Sequence, residues 1–173
     1  MAVAISISHE ARLEEIRQQI RLREENRRFR YLNNAIEQNR LQDVKLFLEI
    51  EKLQSASCEQ IMKQAASCGS VGVVRLMIQL GATDYNGAML EAAQEGKIGV
   101  VEFLWDMNGV DNDHALAKAI QNYHPDVVSF LLKRGGVDYK NALEIAHNTA
   151  RWSTYPHEKI AIERIIKLIQ PYA

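Results

Sequence analysis

Apolar and polar residues alternate along this chain with the 3.6-residue period of amphipathic helices, and the helical patterns themselves recur. Segments 62–88, 89–115 and 116–142 align without a gap, each beginning where the one before it ends. The matches fall where helix packing needs them. Ala65, Ala92 and Ala119 coincide, as do Val73-Val74, Val100-Val101 and Val127-Val128. Leu76, Phe103 and Phe130 share a column, Asp84, Asp111 and Asp138 share another, and Ala88, Ala115 and Ala142 close the units. Each unit predicts two short helices. The first, around 62–68, carries small residues that let a neighbouring helix approach closely. The second carries paired apolar residues: Val73, Val74, Met77 and Ile78, then Val100, Val101, Leu104 and Trp105, then Val127, Val128, Leu131 and Leu132. Gly69 and Gly96 mark the turn between the two helices. Gly81, Gly109 and the Gly135-Gly136 pair are expected to close the second helix in a left-handed conformation, and the aspartate that follows opens a polar turn into the next unit.

Neither helix of a unit can bury its apolar face alone. The units are therefore expected to stack into an all-α helical-repeat solenoid, with the core shared between neighbours. An earlier partial unit occupies about 32–51, where Ala35 and Val44 precede Ala65 and Val74 at a slightly longer spacing. A later unit starts at 143–146, with Ala146 following Ala119 at the same spacing as Ala119 follows Ala92. It is interrupted by 150–156, which resembles no other unit, and a last helix is expected over about 157–169. The repeat domain is thus 32–173, about five units with an insertion near 150–157 and atypical ends that act as caps. Trp105 is expected in a core or half-core column. Trp152 and Tyr155 are expected to pack over the last helix pair, with a partner anchor as the alternative.

Residues 1–31 read differently. From His9 onwards they are rich in charge and free of Gly and Pro, which predicts an N-terminal charged helix. Leu13, Ile16 and Ile20 form a short apolar stripe that Arg23, Glu24 and Arg27 interrupt, too short for a coiled coil. The helix is expected to cap the first unit; a partner-binding or self-associating arm over 9–31 is the alternative. The opening segment 1–8 is apolar but short and lacks a basic start, so a signal peptide is not expected.

Composition narrows the function classes. Apolar residues make up 47% of the 173, which fits a folded chain and not a disordered one. The net charge is −1, and the seven arginines of 1–31 face five glutamates, so a nucleic-acid partner is not expected. No apolar run reaches the roughly 20 residues of a membrane span. Two cysteines, Cys58 and Cys68, are too few for a disulfide scaffold and suggest a reducing compartment. They are also poorly spaced for zinc. The five histidines are scattered, no phosphate loop follows a strand pattern, and no nucleophile–base grouping can be picked out. No catalysis, metal or cofactor is expected.

The unit carried by Ala65-Ala66-Ser67-Cys68-Gly69, Val74, Met77 and Gly81-Ala82-Thr83-Asp84, and again by Ala92-Ala93-Gln94-Glu95-Gly96, resembles the ankyrin repeat. The resemblance covers about 32–170 and is clearest over 60–146. Several features depart from it. The Thr-Pro-Leu-His start of the inner helix is missing, the unit is shorter than the family's usual length, and Tyr123-His124 stands where Gly-His is usual. Short units of this kind look most like ankyrin proteins of large DNA viruses and some intracellular bacteria, which would place the chain in a host cytoplasm. The resemblance implies a protein–protein interaction module, with a partner protein held on the concave face of the solenoid. The residues it implies follow the alanine pair: Glu37-Gln38, Ser67-Cys68, Gln94-Glu95, Gln121-Asn122 and His147-Asn148. The junctions Tyr85-Asn86, Asn112-Asp113-His114 and Tyr139-Lys140-Asn141 would rim the same face, with Tyr85 and Tyr139 as anchors. A structural or assembly subunit, joined through the N-terminal helix and the repeat ends, is the alternative.

Overall fold

The computed structural model describes residues 9–51, 55–105, 107 and 110–173. Segment 1–8 and Gly109 lie outside the described residues, as do the side chains of Leu13, Ile16 and Ile20. Among the described residues the chain is all-α, with ten helices and no strand. They are α1 (His9–Glu37), α2 (Leu41–Glu51), α3 (Ser55–Cys68), α4 (Val71–Gln79), α5 (Tyr85–Gln94), α6 (Ile98–Leu104), α7 (Asn112–Gln121), α8 (Pro125–Arg134), α9 (Tyr139–Trp152) and α10 (Pro156–Ile169).

Each odd-numbered helix packs on the even-numbered helix that follows it. The odd helices also pack on one another in order, α1 on α3, α3 on α5, α5 on α7 and α7 on α9, and so do the even helices from α2 to α10. Small residues allow the first of these series. Ala35, Ala65, Ala92, Ala119 and Ala146, one on each odd helix, are wholly buried. The even helices contribute Val73-Val74, Val100-Val101 and Val127-Val128, together with Met77, Leu104 and Leu131, all closed to solvent or nearly so. Burial of one such large side chain stabilises by about 1.5–3 kcal/mol. The half-buried Trp105 meets Phe130 edge-to-face at 5.9 Å, as its column predicts.

The turns repeat as closely as the core. Asn39, Gly69, Gly96 and Tyr123 all have positive φ, at 51°, 84°, 66° and 61°. In each turn this residue's N–H donates to the carbonyl three residues back, and the next N–H donates to the carbonyl five back: Ile36 and Ala35, Ala66 and Ala65, Ala93 and Ala92, Ile120 and Ala119. This is the double bond of a Schellman cap, and it satisfies carbonyls left over at the helix end. Glycine is the cheap choice at such a site. Tyr123 accepts a strain of about 1–3 kcal/mol there, and its hydroxyl accepts a 3.1 Å bond from the buried Ser153.

Three sequence expectations need correction. The aspartates do not open a turn between units. Asp84, Asp111 and Asp138 are N-caps of α5, α7 and α9, accepting from the N–H groups of Gly87, His114 and Asn141 at 2.8, 2.9 and 3.0 Å. Left-handed closure of the second helix holds at Gly81, with φ 95°, where Gly81 and Ala82 donate to Ile78 and Met77. Gly135, however, has φ 79° with ψ −168°, an extended exit only glycine adopts readily. Finally, the segment 150–156, which resembles no other unit, divides between the last two helices: residues 150–152 complete α9, 153–155 form the turn, and Pro156 opens α10. α9 and α10 have 14 residues each, against 10 in α7 and in α8. The helix α1 also runs unbroken through residue 31, where charge gives way to the repeat pattern. Its last turns bury Leu32, Ala35 and Ile36, while residues 24–31 are exposed.

Candidate partner-binding face

The expected interface residues sit at the two ends of the odd-numbered helices. Tyr85-Asn86, Asn112-His114 and Tyr139-Lys140 form the first turns of α5, α7 and α9, while Gln94, Gln121 and the pair Ser67-Cys68 end α5, α7 and α3. Tyr85 and Gln94 stand at opposite ends of α5, which at the helical rise is about 14 Å. The two groups therefore edge one strip and do not meet in one pocket. Between them lies the column Gln64, Glu91, Lys118 and Ile145, half-buried and in register with the repeat. None of the four is among the residues that the resemblance implies, although the period of the repeat places them in one column.

Much of the first edge is occupied in holding the units together. Glu59, Asn86 and Asp113 are equivalent positions. Each accepts from the N–H of the aspartate cap one unit on: Glu59 from Asp84 at 3.0 Å, Asn86 from Asp111 at 3.0 Å and Asp113 from Asp138 at 2.6 Å. Lys63 adds an ion pair to Asp84 at 2.5 Å. That side-chain bond, with the Gly87 N–H second, holds the Asp84 carboxyl below its ordinary range. Tyr85 and Tyr139 pack against the core, and Tyr139 is stacked on Tyr172 at 5.3 Å. Neither tyrosine stands out from the surface as an anchor. Asn112, half-buried in the same column, has no partner for its Oδ1. His114 and Lys140 are exposed.

The second edge is freer. Ser67 donates to the Gln64 carbonyl and Cys68 packs against the core, so neither is a free group. Gln94 is half-buried and donates to the exposed Glu95 at 3.3 Å. Its carbonyl accepts from His124 Nε2 at 2.7 Å. The His124 ring lies over Gly96, where a Cβ would come within 2.5 Å of Nδ1. A serine bridges in a similar way two turns before His124, where Ser70 Oγ donates to the Ile36 carbonyl. Glu37, Gln38, Gln121, Asn122, His147 and Asn148 are exposed. His147 occupies the column of Ala66, Ala93 and Ile120, all buried. Among the described residues α9 packs on α7 and α10, and His147 faces neither closely enough to be covered.

A cleft of about 420 Å³ opens between the ends of α7 and α9, lined by Gln121, Tyr123, Ile145, Asn148, Thr149 and Trp152. Trp152 does not pack over the last helix pair. It is 84% exposed on the last turn of α9, and Tyr155 beyond it is exposed and stacked on His157. The chain leaves α9 through Ser153, whose Oγ bonds Thr149 and Tyr123. Glu158 then accepts from the N–H groups of Thr154 and Tyr155, which holds its carboxyl below the ordinary value. These bonds fix both sides of the turn and leave the indole outside. No family model matches the chain, and no curated protein matches it either. No helix among the described residues is long and apolar enough to cross a membrane.

Proposed function

We propose that the chain is an ankyrin-type repeat protein, a helical solenoid of about five units, and that it works without catalysis by holding a partner protein on the strip formed by its odd-numbered helices. Support for the architecture comes from the ordered packing of odd on odd and even on even helices, and from the four equivalent left-handed turns. The observation that carries the binding reading is Trp152, which stands 84% exposed beside the Gln121–Asn148 cleft. A large aromatic ring over a cleft with amide donors is the usual composition of an interface hot spot. The strip also carries Glu91, Glu95 and Glu144, which suits a neutral or mildly basic partner surface.

The test begins with affinity capture from the native source and identification of the bound protein by mass spectrometry. Purified partner is then titrated against variants. Replacing Trp152 and Gln121 together by alanine weakens binding by at least about thirty-fold, as loss of a hot spot worth about 2 kcal/mol or more requires. The thermal unfolding midpoint stays within a degree or two of wild type, since both side chains are exposed. A variant on the even-numbered helices, Lys133→Ala with Glu163→Ala, binds as wild type. Undiminished binding by the Trp152 variant refutes this face.

A further inference from the structure

The start of α5 carries a reactive pair that its equivalents lack. Asn86-Gly87 stands where the next two units have Asp113-His114 and Lys140-Asn141. Asparagine followed by glycine is prone to lose its side-chain amide, because glycine is free to bring its own nitrogen onto the side chain before it. The Gly87 nitrogen attacks Cγ of Asn86 and closes a cyclic imide, the Cγ–Nδ2 bond breaks, and ammonia leaves with the Gly87 proton. Water then opens the ring at one carbonyl or the other, leaving aspartate or isoaspartate. Packing explains why glycine sits there. A Cβ at 87 would collide with Lys63 Cε and meet Asp84 Oδ2 at 2.5 Å, so a side chain would drive Lys63 out of its ion pair with Asp84. In the next two units Leu90 and Ala117 take the place of Lys63, and His114 and Asn141 take that of Gly87.

The fold holds both reacting groups. The Gly87 N–H donates to Asp84 Oδ1 at 2.8 Å, which commits the proton of the attacking nitrogen to the helix cap. Asn86 Oδ1 accepts from the Asp111 N–H at 3.0 Å, which fixes the side-chain amide against the next unit. Ring closure needs both bonds broken and the first turn of α5 unwound, so that the nitrogen can swing onto Cγ. The two products then differ in what they allow. Aspartate at 86 still accepts from the next cap, as Asp113 does from Asp138. Isoaspartate puts an extra methylene into the backbone of the first turn and takes the Gly87 N–H out of line with Asp84. After that the native cap cannot re-form.

We infer that Asn86 is a deamidation site gated by the Asp84 cap, closed while the first turn of α5 is intact and open when that turn comes apart. This goes beyond the partner-binding reading and stands without it. The purified chain is held at neutral pH and body temperature and digested with trypsin, and the exchange of amide for acid is located at residue 86 by fragmenting peptide 76–97 in a mass spectrometer. The other Asn-Gly pair, Asn108-Gly109, falls on peptide 98–118 and does not interfere. The folded chain converts at least about tenfold more slowly than the same chain unfolded in guanidinium chloride, the factor set by an opening that costs about 1.4 kcal/mol. Asp84→Ala frees the Gly87 N–H and speeds conversion about tenfold over wild type, as loss of an N-cap requires, with helical circular dichroism retained. Should that variant lose its helical signal, wild type in mild denaturant gives the same test, and conversion there rises in step with hydrogen exchange at the Gly87 amide. A folded wild type that converts as fast as the unfolded chain, a folded Asp84→Ala variant no faster than wild type, or conversion in mild denaturant that does not follow Gly87 exchange overturns the inference.

Discussion

Replacing Leu131 by alanine lowers the stability of the chain by about 2–5 kcal/mol, read from urea unfolding followed by circular dichroism. Leu131 occupies the column of Met77 and Leu104, and all three are fully closed to solvent. It lies on α8, which packs on α6, α7 and α10. With neighbours on three sides the walls cannot collapse into the space left behind. The loss therefore includes a cavity contribution on top of the lost transfer free energy. Leu104→Ala produces a loss of similar size, because its neighbours are equivalent one unit earlier. A loss below about 1 kcal/mol, the cost of a volume-conserving change in a core, would place Leu131 outside a shared core.

The second large effect comes from adding volume. Ala92→Leu is expected to cost about 1–3 kcal/mol, again measured by urea unfolding. Ala92 is buried on α5, between α3 and α7. Its small side chain is what lets odd helices approach on both sides, and a leucine there pushes α5 from at least one neighbour. Leucine is a good helix former, so intrinsic propensity does not supply the loss. The same substitution at the exposed Gln121 leaves stability nearly unchanged, which separates crowding from any general effect of leucine. If Ala92→Leu were neutral, the odd helices would not be in close contact at that column.

Much of this was legible from spacing alone. One strict period placed Ala65, Ala92 and Ala119, and the paired valines, on buried columns, and the structure buries each of them. What escaped had a physical reason in each case. The change in charge density at residue 31 does not end α1, because charged residues with good helix propensity continue a helix as well as apolar ones do, and no capping residue stops it there. Asp84, Asp111 and Asp138 favour turns and N-caps alike, so composition could not separate the two roles. Tyr123 takes a conformation normally left to glycine because its turn is held by the same pair of backbone bonds as its equivalents and by the bond from Ser153. Trp152 was expected to be covered, since large aromatics usually are. Whether it is covered depends on what lies beyond α9, and no period in the sequence encodes that. For the binding residues the shortfall is greater: Asn86 and Asp113 look like surface polar groups in sequence, yet both hold the next unit's cap.

The most direct measurement of the repeat account is a deletion. Removing residues 85–111 joins Asp84 to Asn112, one cap directly to the helix that its equivalent caps, and takes out α5 and α6 as one unit. If the chain is an array of equivalent units with nearest-neighbour interfaces, the shortened protein keeps its helical signal per residue and still unfolds in a cooperative urea transition, at a lower midpoint. Loss of the helical signal, or of the cooperative transition, would contradict the account, because it would mean that the helices form an irregular bundle in which no unit can be spared.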